Sequence, residues 1–472
     1  MLKKPKNEQT VLFYLLVLIF AAPAFSMNPN EKPVLEIRST AAILSLDYSP
    51  DGEKIVTGGQ DNDLTIWNVK NGSSLMTLKG HADDVVAVKF SPNGRYIASG
   101  GVDNKLLVWD AISGDLLHKH AAHRDYVRDV AFSPDSKWVA SASWDGTSMV
   151  WNVLTGEVIA TLTAHLDNVT SVDFNADGSE MLTGSGDKTI RAWDTKTWMQ
   201  KYMLQGHTDE VWDTHFSSNG RMVAGGAWDN KARVWDVTQR TQIHVFSAHT
   251  SDVWSVGFSP DNQLLVSGSG DRQLKVWDLA TGELAADLAV DLFKAEIECV
   301  SFSPDGKFIA ASSRDGFLRV FNTPSVSDRK NAYVNQKITK WSVKDPFEKT
   351  DDYQSRLRKT DRQKEEFEEE FDKKASDFFI KYSGWEKLTL GDYNADDESF
   401  AVTSPFLGKL RVVVASREAK NFKEVFNEKF KDMKIKSPRF AVKQTIELQD
   451  AELTVPEGKE FRYYYLRPEK SK

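Results

Sequence analysis

Tryptophan recurs in this chain at a fixed interval. Trp67, Trp109, Trp151, Trp193, Trp235 and Trp277 stand 42 residues apart, and each is followed by Asp or Asn. A seventh copy closes at Phe321-Asn322, 44 residues after Trp277. Six positions before each of these aromatics lies an aspartate: Asp61, Asp103, Asp145, Asp187, Asp229, Asp271 and Asp315. His81, His123, His165, His207 and His249 keep the same period. A period of this size means one supersecondary unit used repeatedly. So short a unit cannot bury its own apolar faces and must stack on its copies.

One unit shows what is stacked. After His81, VVAVKF alternates as a strand does, and SPNG is a turn in which Pro and Gly supply the backbone angles. RYIASGG is a second strand, VDN a tight turn, KLLVWD a third strand, AISGD another turn and LLHK a fourth strand. Four short strands at this turn spacing form one antiparallel sheet. Such sheets cover both of their faces by packing in a ring.

These residues resemble the WD-repeat family, whose repeats are the blades of a β-propeller. The resemblance covers 34–323 and implies a mainly β chain, with a seven-bladed propeller over that span. Four copies match the family's buried set of His, Ser or Thr, Asp and Trp. They are His81, Ser99, Asp103 and Trp109; His123, Ser141, Asp145 and Trp151; His165, Thr183, Asp187 and Trp193; and His249, Ser267, Asp271 and Trp277. In each, Asp is expected to accept from His and from turn amides, and the hydroxyl to link His to the indole. The fifth copy has Gly225 in place of the hydroxyl, the first and seventh lack His, and the seventh has Phe321 for Trp. Val34–Ile37 aligns with a fourth strand and is expected to complete the seventh sheet; Ala332–Ile338 competes for that place.

The ends read differently. Lys3, Lys4 and Lys6 precede an uncharged, mostly apolar run from Val11 to Phe25, and Ala24 and Ser26 are small residues before Met27. That is the layout of a secretory signal peptide over 1–26, followed by a short segment 27–33. It implies a periplasmic or otherwise exported protein, or one anchored in the inner membrane if the segment stays uncleaved. The alternative is an intracellular scaffold whose start mimics a signal.

Residues 324–343 read as a polar connector and 344–472 as a small α+β domain. Its long amphipathic helix is read from Tyr353, Leu357, Phe367, Phe371, Ala375 and Phe378, with Thr350, Asp351 and Asp352 at the N-terminal cap. Strands are expected at Glu386–Leu390, Ser399–Thr403, Lys409–Val414, Arg439–Leu448, Ala451–Val455 and Phe461–Leu466, with a second helix from Ser416 to Phe430. KDPFEKTDDYQSRL with YNADDESFAV is similar to an uncharacterised domain of bacterial envelope proteins.

Several chemistries lack their residues. A net charge of −8 is wrong for coating nucleic acid, which needs a basic surface. The single cysteine, Cys299, excludes an internal disulfide and a cysteine-built zinc site, and aligns with an inner strand as a small hydrophobe. No phosphate loop, metalloprotease helix or nucleophile elbow occurs. His118 and His120 share a strand face and make a metal site conceivable, but no cofactor or metal is expected. An enzyme, perhaps a hydrolase at the channel mouth or in the C-terminal domain, needs a histidine beside a carboxylate outside the repeats' own sets. His215 and His244 are the unassigned candidates, and neither shows a partner motif.

The alternative is a binding face. In WD-repeat proteins the end that carries His and the tight-turn Asp commonly takes peptides. Carried over position by position, the resemblance places there Tyr126, Arg128 and Trp144 from the third copy, and Glu210, Trp212 and Trp228 from the fifth. The sixth gives Asp252 and Trp254, and the seventh gives Glu296, Glu298 and Arg314. Tryptophan, tyrosine and arginine are the residues in which interface hot spots are rich. The other reading is that the indoles pack between blades and plug the channel. Carboxylates in the same rim suit an Arg- or Lys-bearing peptide. The expected molecule is therefore a non-catalytic, exported scaffold, a monomer within a larger complex, whose partner is a protein or peptide.

Overall fold

The computed structural model describes residues 32–382 continuously, then 389–394, 399–404, 408–414, 419, 422, 423, 426, 434–442, 446–457 and 460–468. Seven four-stranded antiparallel sheets follow one another around an axis. Each blade runs from an inner strand a to an outer strand d. In blade 2 these are Val85–Phe90, Tyr96–Gly101, Leu106–Asp110 and Leu116–His120. Blade 1 starts at Ile43, and blades 3 to 6 start at Val127, Val169, Val211 and Val253. Strands a to c are largely buried, because both sheet faces pack on neighbouring blades. The a–b turns need one left-handed residue. Gly94 provides it in blade 2 at φ 71°, whereas Ser136 and Asn262 take it at 58° and 60°.

The ring closes through the N-terminal strand. Leu35–Arg38 pairs antiparallel with Phe317–Val320 and supplies strand d of blade 7. Glu36 adds an ion pair to Arg319 at 2.8 Å. The competing segment, 332–338, lies inside a helix instead.

That helix corrects the connector reading. Val326–Ser342 forms helix α1, opened by a capping box in which the Ser325 side chain accepts from the Asp328 amide and the Asp328 carboxylate accepts from the Ser325 amide. Sequence polarity concealed it, because only a narrow stripe is buried: Val326, Arg329, Tyr333 and Val334. The long amphipathic helix is two helices, α2 (Thr350–Leu357) and α3 (Thr360–Tyr382). The expected cap also shifts: Lys349 is the N-cap residue, with no side-chain cap bond, and the Thr350 hydroxyl accepts from Lys344 at 3.1 Å.

A six-stranded antiparallel sheet follows, in the order 389–394, 399–404, 408–413, 460–468, 446–457, 434–442. The single strand expected over Arg439–Leu448 is two strands, Lys434–Val442 and Ile446–Glu457, which pair with each other. The helices pack on this sheet through Tyr333, Phe371, Phe379, Phe400, Val412 and Phe422. The signal segment, and Ser416–Phe430 apart from Ala419, Phe422, Lys423 and Phe426, lie outside the described residues.

The C-terminal domain docks on one end of the propeller. The a–b and c–d turns define the lower end; the histidine loops and tight aspartate turns define the upper. Asn219 and Arg221 of a blade 5 lower turn donate to the carbonyls of Tyr382 and Lys381, and Tyr382 Oη lies 3.1 Å from Asp236. In blade 6, Arg329 pairs with Asp278 at 3.1 Å and bonds Gln263 at 2.9 Å. All of these contacts are at the lower end of blades 5 and 6.

Candidate functional site

The four complete sets form the networks expected of them. In blade 2, His81 Nδ1 meets Asp103 at 2.9 Å and Nε2 meets Ser99 Oγ at 2.8 Å, while Trp109 Nε1 donates to the same hydroxyl at 3.0 Å. The histidine–carboxylate distances in blades 3, 4 and 6 are 2.9, 2.8 and 3.0 Å. Ser141, Thr183 and Ser267 accept from Trp151, Trp193 and Trp277 at 3.1, 2.8 and 2.8 Å. The aspartates also hold the loop: Ala82 N donates to Asp103 at 3.0 Å. Burial alone would raise these carboxyls, but the His bonds and turn amides hold Asp103, Asp145, Asp187 and Asp271 below their ordinary value. In blade 5, with Gly225, His207 Nε2 has no partner and Trp235 donates to the Gln205 carbonyl at 3.2 Å. These networks brace the upper loops.

The rim residues come together at the upper mouth of the channel as one aromatic cluster. Trp212 is its centre and only 7% exposed. Trp228 stacks on it at 4.9 Å, Trp254 lies at 5.6 Å, and Trp144 meets it edge-on at 6.2 Å. Tyr126 extends the cluster beyond Trp144 at 4.9 Å. Arg128 lies over Trp212 at 4.9 Å and Arg314 over Trp254 at 5.2 Å, so the protein's own cations cover two of the indoles. Arg314 is also bonded to the buried Glu298. Packing between blades and presentation at a rim thus coexist. Trp212 is packed, whereas Trp144, Trp228 and Trp254 keep part of their surface open. The indole N–H groups of all four lack an acceptor. Leaving a buried donor unpaired costs about 1–3 kcal/mol. Beside the cluster, burial raises the carboxyl of Glu210, with Asp167 and Asp209 adding to it; burial and Asp209 do the same to Asp252. Neighbouring negative charges there are incompletely compensated.

Beneath the cluster the channel narrows to a cavity of about 40 Å³, lined by Lys89, Asp129, Asp213, His215, Glu298 and Cys299 among others. The sequence reading left His215 without a partner, but it sits between Asp173 at 3.4 Å and Asp213 at 3.3 Å. Burial opposes its charge, yet these two carboxylates raise its pKa well above the ordinary value. Burial pushes Asp129 up to about 6 against the attraction of Lys89. A histidine–carboxylate constellation is therefore present, beside a space that admits a few waters.

Most of these channel groups also work between blades. Asp47, Asp129, Asp173 and Asp213 accept from the amides of Phe90, Val172, Phe216 and Val256 at 2.8–2.9 Å, each amide belonging to the next blade's inner strand. Ser45 and Ser255 accept from Val88 and Val300 in the same way, at 3.1 and 3.2 Å. The sequence reading missed these staples. Their signal is polar residues at alternate positions of otherwise apolar inner strands, as in LSLDY and VTSVDF.

The other candidates have local roles. His118 and His120 are stacked on each other at 5.6 Å, and His120 lies on Trp151 at 4.3 Å. Among the described residues no group of three or more His, Cys, Asp or Glu side chains is placed to hold a metal. His244 Nε2 bonds the Leu279 carbonyl at 2.7 Å. Cys299 Sγ lies 3.5 Å from the Leu46 carbonyl, and burial raises its thiol.

Seven sheets in one ring, fastened by inter-blade bonds and by repeated His–hydroxyl–Trp networks, define a propeller built from a single repeat. The profile of the WD domain, G-beta repeat, matches residues 31–68, 72–110, 114–152, 156–194, 198–236, 240–278 and 291–322, and the chain belongs to that family. Over 42 residues, 9% of this chain, it is 48% identical to the periodic tryptophan protein 2 homolog of Dictyostelium discoideum. That stretch is 5% of the Dictyostelium protein, a single repeat's worth of likeness.

Proposed function

We propose that this protein is an exported, non-catalytic scaffold that binds a protein or peptide partner on the upper face of its propeller. The observation that carries the reading is the aromatic cluster of Trp144, Trp212, Trp228 and Trp254 at an open channel mouth, with four indole donors lacking acceptors. A peptide laid over the mouth covers the ring surface that Trp144, Trp228 and Trp254 leave open. Glu210 and Asp252 select an Arg- or Lys-bearing partner, as the burial and like-charge repulsion on both favour an added cation. The described residues of the C-terminal domain dock at the opposite end, where the domain serves as a spacer or second contact. The space beside His215 is about 40 Å³, room for a few waters.

Selection of a displayed peptide library on the full chain tests the partner chemistry. Basic peptides are expected, with affinity falling at least ten-fold (about 1.4 kcal/mol) in Glu210→Lys and in Trp254→Ala. Enrichment of acidic or uncharged peptides, or binding unchanged by both substitutions, sinks the reading. Export rests on the basic start, the apolar run and the small residues before Met27. N-terminal sequencing of the protein from its own cells is expected to begin at Met27; recovery of the intact N-terminus in the cytosol contradicts it.

A further inference from the structure

The repeat offers a comparison inside one molecule. At the lower end of blade 6, the c–d turn and the start of strand d form a helix seat. Ala280 packs against the apolar cluster that α1 and α3 share, and Gln336 of α1 donates to the Leu284 carbonyl at 2.6 Å. Acidic residues flank the seat and take the helix's cations: Asp278 pairs with Arg329 at 3.1 Å and Glu283 with Lys340 at 3.4 Å. The helix therefore presents two basic residues three turns apart, with Tyr333 and Val334 of its buried stripe between them.

The same positions recur four repeats earlier in blade 2 and three repeats earlier in blade 3. Ala280 corresponds to Ile112 and Leu154, and Leu284 to Leu116 and Val158. Nothing in the chain covers them among the described residues. Ile112 is 76% exposed and Leu154 72%, whereas in blade 4 the counterpart of Ala280 is Lys196 and that of Glu283 is Met199. Leu116 and Val158 are exposed as well. The two turns form one band: the Leu154 carbonyl of the blade 3 turn lies 3.2 Å from Nε2 of His118 on the outer strand of blade 2. The acidic flank is repeated too. Asp110 and Asp115 stand where Asp278 and Glu283 stand in blade 6, and Glu157 repeats Glu283 in blade 3. Asp110 Oδ1 accepts from the Ile112 and Ser113 amides at 2.9 and 3.0 Å, as Asp278 Oδ1 does from Ala280 and Thr281 in the filled seat, and Arg95 Nε lies 3.9 Å from its other oxygen.

We propose that the lower edge of blades 2 and 3 is a second helix seat, and that its occupant is an amphipathic helix of a partner protein carrying basic residues about three turns apart. The band is larger in side chain and more exposed than the seat α1 fills, and exposed apolar surface of this kind marks an interaction site. Its acidic flank selects against an acidic helix. The seat is at the opposite end from the tryptophan cluster, so two partners can be held at once, and it does not depend on the reading of the upper face.

The probe is a labelled, helix-stapled peptide of the chain's own Val326–Ser342, titrated into the full chain by fluorescence anisotropy. Saturable binding is expected, weakened at least ten-fold by Leu116→Ser with Leu154→Ser and by Asp115→Lys with Glu157→Lys, and unchanged by Trp254→Ala. The first pair sits at exposed positions, and its thermal melt is expected to match the parent's. If the melt falls, the charge-reversal pair decides alone. No saturable binding, or binding indifferent to the decisive pair, overturns the proposal. Concentration-dependent dimers in sedimentation that the Leu116→Ser, Leu154→Ser pair abolishes would give the band to a second copy. Co-sedimentation with phosphatidylglycerol vesicles that the same pair abolishes would give it to a membrane. Either result overturns the helix seat.

Discussion

A hydroxyl in strand b helps to hold the upper loop in four of the blades. Ser99 receives the Trp109 indole and meets His81 Nε2, so Ser99→Ala strands two buried polar groups at once. The expected loss is about 1–3 kcal/mol, read as a lower urea midpoint at unchanged slope. Blade 5 shows that the ring tolerates one such defect, because Trp235 turns to the Gln205 carbonyl. Restoring the family's residue there does not help. A Cβ on Gly225 meets Ile190 Cδ1 at 2.9 Å and His207 Nε2 at 3.0 Å, so Gly225→Ser is expected to lower the melting temperature rather than raise it. Legibility at this scale was uneven. The tetrads repeat identical letters in identical places and could be read directly. The inter-blade staples use Asp in some blades and Ser in others, so no single letter recurs to announce them.

Elements were legible where a side chain's period and its burial agree. In the blades, every strand packs on a neighbour and the pattern follows. Helix α1 breaks that agreement, since its packed stripe includes an arginine that reads as surface. Arg329 is buried and held by Asp278 and Gln263. Arg329→Ala leaves Asp278 buried without its cation, a change that costs about 3–5 kcal/mol in comparable sites. The expected result is an unfolding curve that splits in two, the C-terminal domain detaching before the propeller. A single cooperative transition in the variant, at the parent's midpoint, would contradict this role for α1.

At the scale of the whole molecule, protons bear on stability in two opposite ways. Burial holds His81, His123 and His207 below the ordinary histidine value despite their aspartates, so these histidines are harder to protonate folded than unfolded. Their contribution is lost as the pH falls below about 6.5, and the depressed Asp103, Asp145 and Asp271 add a further loss below about 4. His215 has the opposite sign. Although burial opposes its charge, Asp213 and Asp173 raise its pKa, so its contribution is complete below about 6.5 and fades as the pH rises through the folded value. Urea midpoints measured from pH 5 to 9 are expected to decline on both sides of neutrality. In His215→Gln the alkaline decline should flatten while the acid decline remains. An alkaline limb unchanged by the substitution would remove His215 from this role.

The sequence by itself determined the propeller: the blade count, the strand order within a blade and the buried tetrads, while the choice between Val34–Ile37 and Ala332–Ile338 as the closing strand fell to the structure. It could do so because a repeat states the same local physics seven times, and a stacked ring needs little beyond that local physics. Only the tertiary structure decided the rest. It placed His215 between aspartates of two blades, made α1 part of a docked C-terminal domain, and gathered the rim tryptophans around Trp212. Among the described residues it also left Ile112 and Leu154 exposed at the end where Ala280 is covered. These arrangements join residues from different blades and different domains, and the interval between such residues in the chain carries no record of the distance between them in space.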